Sequence, residues 1–273
     1  MARVITVGSQ KGGVGKSTTV LNLGYSLSRL GQRVLLVDAD PQGGMSIATN
    51  LNRRSAQGLV QVLKGESAPF AAVVYSRERA LAGLNTGIVE AEDAFYFEVA
   101  CQANRLAPIF EALDRDFDYL LVDAPAGVGS IVHGLLLASQ GVVLVVRCQT
   151  LLVKSLPAFL KVVQHVRETG NPDLRLTGAL MTMRNPQDAF DEQLSHELAE
   201  SFPPEVFFKT QIPFDPVYEM ASQHSVPVAR LKGALTGARV AAQAYTDLAL
   251  EFRERDEACR AGAPADEDVE GLF

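Results

Sequence analysis

Residues 4–18 read Val4-Ile5-Thr6-Val7-Gly8-Ser9-Gln10-Lys11-Gly12-Gly13-Val14-Gly15-Lys16-Ser17-Thr18, and this stretch decides the fold. Its opening apolar run, Val4 to Val7, reads as a buried strand. Beyond it, Leu21, Leu23, Leu27 and Leu30 recur at helical spacing, and the pattern stops at Gly31. Strand, glycine loop and helix in that order are what a phosphate-binding loop requires. The glycines let backbone N–H groups turn onto phosphate oxygens. The helix that begins near Gly15 adds the positive end of its dipole. In such a loop the nucleotide-binding residues are Gly12, Gly13, Val14, Gly15, Lys16, Ser17 and Thr18. Lys16 is spaced to reach the β- and γ-phosphates, and the Ser17 hydroxyl to ligate Mg²⁺. The plainer alternative, a flexible turn between strand and helix, leaves the lysine and serine without a reason.

Further along, strands and helices alternate, which predicts a single α/β domain: one doubly wound, mostly parallel sheet with helices on both faces. Strands are expected at 34–37, 81–88, 119–122, 142–146, 176–183 and 207–212. Helices are expected at 57–63, 105–113, 131–137, 156–167, 190–201 and 239–255. The stretch 67–97 is broken by Ala, Gly and Pro and reads poorly apart from its one strand. Residues 1–260 form the domain. Residues 261–273, small and acidic (Asp266, Glu267, Asp268, Glu270), read as a disordered tail.

Ligands of open parallel sheets bind at the carboxyl ends of the strands. Asp123 closes the apolar run Tyr119-Leu120-Leu121-Val122 and is placed to hold Mg²⁺, directly or through water. Asp38 and Asp40 follow the second strand in Val37-Asp38-Ala39-Asp40-Pro41-Gln42. Each aspartate taken alone reads equally well as a turn or cap residue; beside the glycine loop the phosphate-site reading is the stronger.

Composition narrows the rest. With 47% hydrophobic residues over 273 positions the chain can bury a large core. A net charge of -7 gives no global field for nucleic acid, so DNA binding needs a local patch. Cys101, Cys148 and Cys259 form no CxxC pair, which argues against a disulfide framework, a zinc site or an iron–sulfur cluster. Cys148 reads as a small core residue. The first strand starts almost at the N-terminus and no apolar run has bilayer length, so the expected location is cytoplasmic.

Lys11 to Ser17 matches KGGxGK[ST], with Gln10 where an ordinary phosphate loop has its first glycine. The chain thereby resembles the deviant Walker A branch of P-loop NTPases, the ParA/MinD family, which also includes the nitrogenase iron protein. The run Asp38 to Gln42 is similar to the DxDPQ of its ParA/Soj branch. Ala124-Pro125-Ala126-Gly127 is nearer the MinD variant. The resemblance implies a Mg²⁺-dependent ATPase that closes as a homodimer around ATP. In it Lys11 reaches across to the partner subunit's phosphates, as an arginine finger does. A solvated loop lysine is the bland alternative. Asp38 would lie near the magnesium and its waters, and Asp40 would position the attacking water. Lys11, Lys16 and Asp40 are thus the catalytic set, and Ser17, Asp38 and Asp123 the metal set. Gln211-Ile212-Pro213-Phe214-Asp215 resembles the segment against the base, so Pro213 and Asp215 become adenine-side candidates, with Arg184 and Asn185 behind them.

The function so implied is an ATP switch that partitions or positions a cargo: a DNA locus, a plasmid or a protein complex. It would bind nonspecific DNA when ATP-loaded and release it when a cargo-linked activator protein stimulates hydrolysis, which predicts association with the nucleoid. The DNA-binding candidates are Lys154, Lys161, Arg184, Lys209, Arg230 and Lys232, though scattered cations are also what a solvated surface carries. Two departures bear on this. Phe214 and Val217 stand where relatives carry DNA-binding arginines. The acidic tail replaces the basic helix by which MinD proteins dock on lipid, so no stable membrane anchor is expected. The alternative is a MinD/FlhG-like spatial regulator on a membrane, polar or protein scaffold, without DNA. An iron–sulfur carrier lacks its cysteines, and a tyrosine kinase its tyrosine-rich tail, the last tyrosine being Tyr245.

Overall fold

Apolar runs buried on both faces form parallel strands in the core of the sheet, as such runs do when helices cover both sides. The computed structural model describes residues 2–147, 156–233 and 236–260. Its strands are β1 (Arg3–Ser9), β2 (Val34–Asp38), β3 (Val74–Tyr75), β4 (Leu81–Leu84), β5 (Tyr119–Ala126), β6 (Gly141–Arg147) and β7 (Arg175–Thr182). They form one sheet in the order β3-β4-β2-β5-β1-β6-β7, parallel except for the short β3, which runs antiparallel to β4.

The helices are α1 (Lys16–Arg29), α2 (Gly44–Ala48), α3 (Leu51–Arg54), α4 (Leu59–Leu63), α5 (Ala91–Gln102), α6 (Ala107–Leu113), α7 (Ser130–Leu137), α8 (Leu156–Thr169), α9 (Ala189–Ser201), α10 (Val217–Gln223) and α11 (Thr236–Arg260). Side chains alternate across the sheet into two cores. Val4, Leu120 and Val122 face one core with Phe97, Phe110, Leu135 and Val163. Ile5, Val7 and Leu121 face the other with Leu23, Leu27, Leu248 and Phe252. The doubly wound fold expected from the alternation is the fold observed. Among the described residues no helix is long and apolar enough to cross a membrane.

Chain order reverses around β1. From β1 the chain crosses to β2 on one side of the sheet, and β6 and β7 lie on the other. A crevice opens at the carboxyl end of such a switch point, and the glycine loop follows β1 into it.

Two expectations are corrected. Residues 207–212 do not form a strand; only Phe207 bridges Ala179 and Pro213 bridges Arg184. Phe208 and Ile212 donate backbone N–H groups to β7, at Ala179 and Met181. Between them Lys209 and Thr210 turn theirs to the Glu251 carboxylate, at 2.7 and 2.9 Å, which breaks the ladder. The strand expected at 81–88 ends at Leu84 because the next carbonyls, Asn85 and Thr86, accept from Leu59 and Val60 at the start of α4. The unreadable stretch also holds β3 and α5. α5 is capped by Asp93, whose carboxylate accepts from the N–H groups of Val89 and Glu90 at 3.0 and 3.1 Å. The short α2, α3 and α10 were not expected. α11 runs to Arg260, held by the fully buried Asp256, which pairs with Arg3 at 2.8 Å and Arg260 at 3.0 Å. Residues 261–273, Cys148 and Lys154 lie outside the described residues.

α5 and α7 pack so closely that a Cβ at Gly134 would stand 2.4 Å from the Cys101 carbonyl oxygen. Backbone cannot swing away as a side-chain tip can. Gly134→Ala is therefore expected to lower stability by about 1–3 kcal/mol through overpacking, despite alanine's better helix propensity. A shift of the urea midpoint to lower concentration checks this.

Candidate nucleotide-binding site

The loop between β1 and α1 is shaped by positions that only glycine adopts readily. Gly13 and Gly15 have φ of 72° and 92°, in the left-handed region, and Gly15 is the N-cap of α1. Val14 between them is buried and pins the loop to the core. From β7 the buried Thr182 hydroxyl donates to the Val14 carbonyl at 2.7 Å. The result is a braced ring of backbone over the start of α1, whose orphan N–H groups and dipole favour an anion.

That anion would lie in a cavity of about 660 Å³ lined by Gly12, Gly13, Gly15, Lys16, Ser17 and Thr18. Asp40, Pro41 and Gln42 after β2, Pro125 and Ala126 at the end of β5, and Met183 after β7 complete its wall. Lys16 is buried, with 7% of its surface exposed, whereas Lys11 in the same loop is exposed. The Lys11 backbone N–H reaches Ser9 Oγ at 3.4 Å, and its side chain extends outward into solvent.

Parallel register sets the carboxylates side by side. Asp38 on β2 pairs with Asp123 on β5, and Asp123 with Val7 on β1. Both aspartates are fully buried. Asp38 is held by backbone N–H groups, from Ser46 at 2.7 Å and Asp40 at 3.2 Å. Neither carboxylate oxygen of Asp123 makes a hydrogen bond within 3.5 Å. Burial, and then the Asp38 charge, push its carboxyl up to about 8, against the opposing pull of Ser17 and Lys16. Burial raises Asp38 as well.

An unpartnered carboxylate with both oxygens buried needs a proton or a cation. Among the described residues no three His, Cys, Asp or Glu side chains are grouped to cage a metal. One strand-end carboxylate, a hydroxyl and phosphate oxygens suit Mg²⁺, which seldom takes an all-protein cage. Ser17 and Asp123, with Asp38 behind, fit that ion. Asp40 is half-buried; its Oδ1 accepts from the Gln42 N–H at 2.9 Å, and the residue also lines the cavity, so it serves its turn and faces the site.

A second cavity, of about 370 Å³, adjoins the first through Gly15, Thr18 and Met183 and is lined by Pro213 and Asp215. The Asp215 carboxylate also caps α10, accepting from Val217 N–H at 2.8 Å. Arg184 must be withdrawn as a DNA contact. It is 4% exposed, and its guanidinium meets Asp191 at 2.5 Å, Glu192 at 2.8 Å and Gln211 at 2.9 Å. Lys161, Lys209, Arg230 and Lys232 are exposed, and Arg230 pairs with Glu78 at 2.7 Å. The reading from sequence missed the wall residues Pro41, Pro125, Ala126 and Met183. Met183 has a φ of 54° and no local signal for it; tertiary packing alone brings it to Gly15.

A braced anion loop at a sheet's switch point, with an inward lysine and a buried strand-end carboxylate, defines the P-loop class of nucleotide-binding folds. A family model described as an AAA domain matches residues 2–176. The chain is 30% identical over 257 residues to the sporulation initiation inhibitor protein Soj of Bacillus subtilis, covering 92% of this chain and 98% of Soj. It is 30% identical over 268 residues to the chromosome partitioning protein ParA of Caulobacter vibrioides, covering 95% and 97%. The structure of cobyrinic acid a,c-diamide synthase from Mycobacterium smegmatis, with a bound ATP analog and magnesium, superposes with a TM-score of 0.73 at 27% identity, covering 93% of this chain and 96% of that one. The chain belongs to the ParA/Soj family of partitioning ATPases.

The burial of Asp123 has a measurable consequence without ligand. A carboxyl whose pKa rises on folding stabilises the folded state below the ordinary carboxylate range, near pH 4, and that contribution is lost as pH climbs toward 8. Asp123→Asn removes the ionisation. In magnesium-free, nucleotide-free buffer its melting temperature is expected to exceed the wild type's at pH 8, with the gap closing toward pH 5. A gap independent of pH would contradict this account.

Proposed function

We propose that this chain is an ATP-driven dimerisation switch that positions a cargo. The observation that carries the reading is the division of labour between two lysines in one loop: Lys16 is buried in the phosphate cavity and Lys11 points out of it. A cation so exposed at the rim suits a phosphate held by a second subunit. ATP would lie with its phosphates under residues 11–18 and its base toward Pro213 and Asp215. Ser17, Asp38 and Asp123 would hold Mg²⁺, which when bound neutralises phosphate charge.

Within that frame each residue has a task. Lys16 binds and orients the terminal phosphates. Asp40, at the cavity wall, orients the attacking water and accepts its proton. Lys11 stabilises charge on the transferred group only when two subunits meet, so hydrolysis and dimerisation become linked. Loss of the γ-phosphate removes contacts that only the dimer makes, and the dimer opens.

The dimer would bind nucleoid DNA nonspecifically through Lys161, Lys209, Lys232 and Arg230, and a cargo-linked activator would stimulate hydrolysis and release. Lys154 belongs to the same candidate set. The exposed Phe214, where the resemblance leads one to expect an arginine, favours as second reading a spatial regulator on a protein, polar or membrane scaffold.

Two experiments test this reading. Lys11→Ala is expected to keep the wild-type affinity for ATP as a monomer and to lose ATP-dependent dimerisation by light scattering. A normal dimer would remove Lys11 from the interface. Asp40→Ala is expected to bind ATP, to turn over slowly and to accumulate as the dimer. That trapped dimer should bind duplex DNA with ATP and not with ADP, with affinity falling steeply as salt rises. A confirmed dimer that ignores DNA would transfer the assignment to the scaffold reading.

A further inference from the structure

α5 carries apolar side chains on its outer side as well as its inner one. Its inner side, Phe97, Ala100 and Cys101, belongs to the core. Its outer stripe runs at helical spacing through Glu92, Phe95, Glu98, Val99 and Gln102, all exposed. On that stripe Phe95 is 72% exposed and Val99 45%, and Val89 just before the helix is 74% exposed. Phe95 and Val99, four residues apart, are neighbours on the helix surface. A surface helix ordinarily turns a polar stripe outward, and here Phe95 and Val99 interrupt that stripe. Single exposed apolar side chains are ordinary, but an adjacent aromatic and valine on one turn mark a contact surface.

Charge says what covers it. Glu90, Glu92 and Glu98 frame the stripe and are exposed. Two cations that contact α5 have partners there away from the stripe. Lys64 binds Asp93 at 2.6 Å, and Arg105 donates to Tyr96 Oη at 2.8 Å and the Leu63 carbonyl at 2.6 Å. A second copy offering the same face would set Glu92 and Glu98 against their own kind, and an anionic lipid surface would be repelled. We infer that the outer face of α5 docks a partner protein through a segment with apolar anchors spaced between lysines or arginines.

The place of this face gives docking a consequence. Ser130, the first residue of α7, donates its hydroxyl to Glu98. Only residues 127–129 separate Ser130 from the end of β5, where Pro125 and Ala126 line the phosphate cavity. A partner cation that takes Glu98 releases the Ser130 hydroxyl and frees the start of α7 beside that wall. The inference rests on the reading of the cavity as an ATP site and names the face by which an activator reaches it.

The test uses the full chain and a labelled synthetic peptide with leucines at i and i+4 flanked by lysines, beside a twin carrying glutamates for lysines. Fluorescence anisotropy is expected to show binding of the lysine peptide only. The double variant Phe95→Ser/Val99→Ser should weaken it about tenfold or more, as loss of interface anchors does. Glu92→Gln/Glu98→Gln should weaken it and flatten its salt dependence. The serine variant changes only solvent-facing side chains away from the Ser130–Glu98 contact and should bind ATP as the wild type does. Equal binding of the two peptides, or an unchanged affinity in the serine variant, overturns the inference. So does a serine variant that alters the oligomeric state by light scattering, since the face would then belong to a second copy. Failure of the wild type to bind ATP would instead sink the nucleotide reading and leave the peptide result standing.

Discussion

Asp38 and Asp123 stand in register at the ends of neighbouring strands, both fully buried, and two such carboxylates cannot both ionise without a cation. The site is organised around that constraint. Backbone N–H groups from Ser46 and Asp40 hydrogen-bond Asp38, whereas Asp123 makes no such bond. Lys16, buried in the loop opposite, supplies one positive charge. A polyanion with its own Mg²⁺ would complete the charge balance that two buried carboxylates and one lysine leave open.

The same constraint explains the bracing. A loop of glycines holds an anion well only if its backbone does not relax away from the charge. Thr182 ties Val14 to the sheet from β7, and Val14 buries its side chain beneath the loop. Residues after β2 and β7 and at the end of β5 then meet at one cavity. Three loops that share a wall can respond together when a terminal phosphate arrives or leaves, which is the mechanical need of a switch.

Two lysines separated by four residues illustrate how fold assigns roles. Lys16 begins α1 and is carried inward with it; Lys11 precedes the left-handed Gly13 and Gly15 and stays in solvent. Arg184 shows the opposite case, a cation that looks available in the sequence and is consumed by Asp191, Glu192 and Gln211 inside the fold. Apolar side chains also remain on the surface, Phe95 and Val99 of α5 among them.

The sequence by itself determined the strand–loop–helix unit, the alternating architecture and the strand-end aspartates. All rest on local rules: apolar runs, helical spacing, and residue types that a phosphate loop demands within a few positions. It could not determine the end of β4 or the break at 207–212, because those depend on which distant group takes a backbone hydrogen bond: Asn85 and Thr86 serving α4, Glu251 serving Lys209 and Thr210. Nor could it place Met183 against Gly15, bury Arg184, or leave Phe95 and Val99 facing outward on a helix whose inner side is equally apolar. Periodicity distinguishes a polar face from an apolar one, but where apolar residues stand on both faces only tertiary packing decides which are buried.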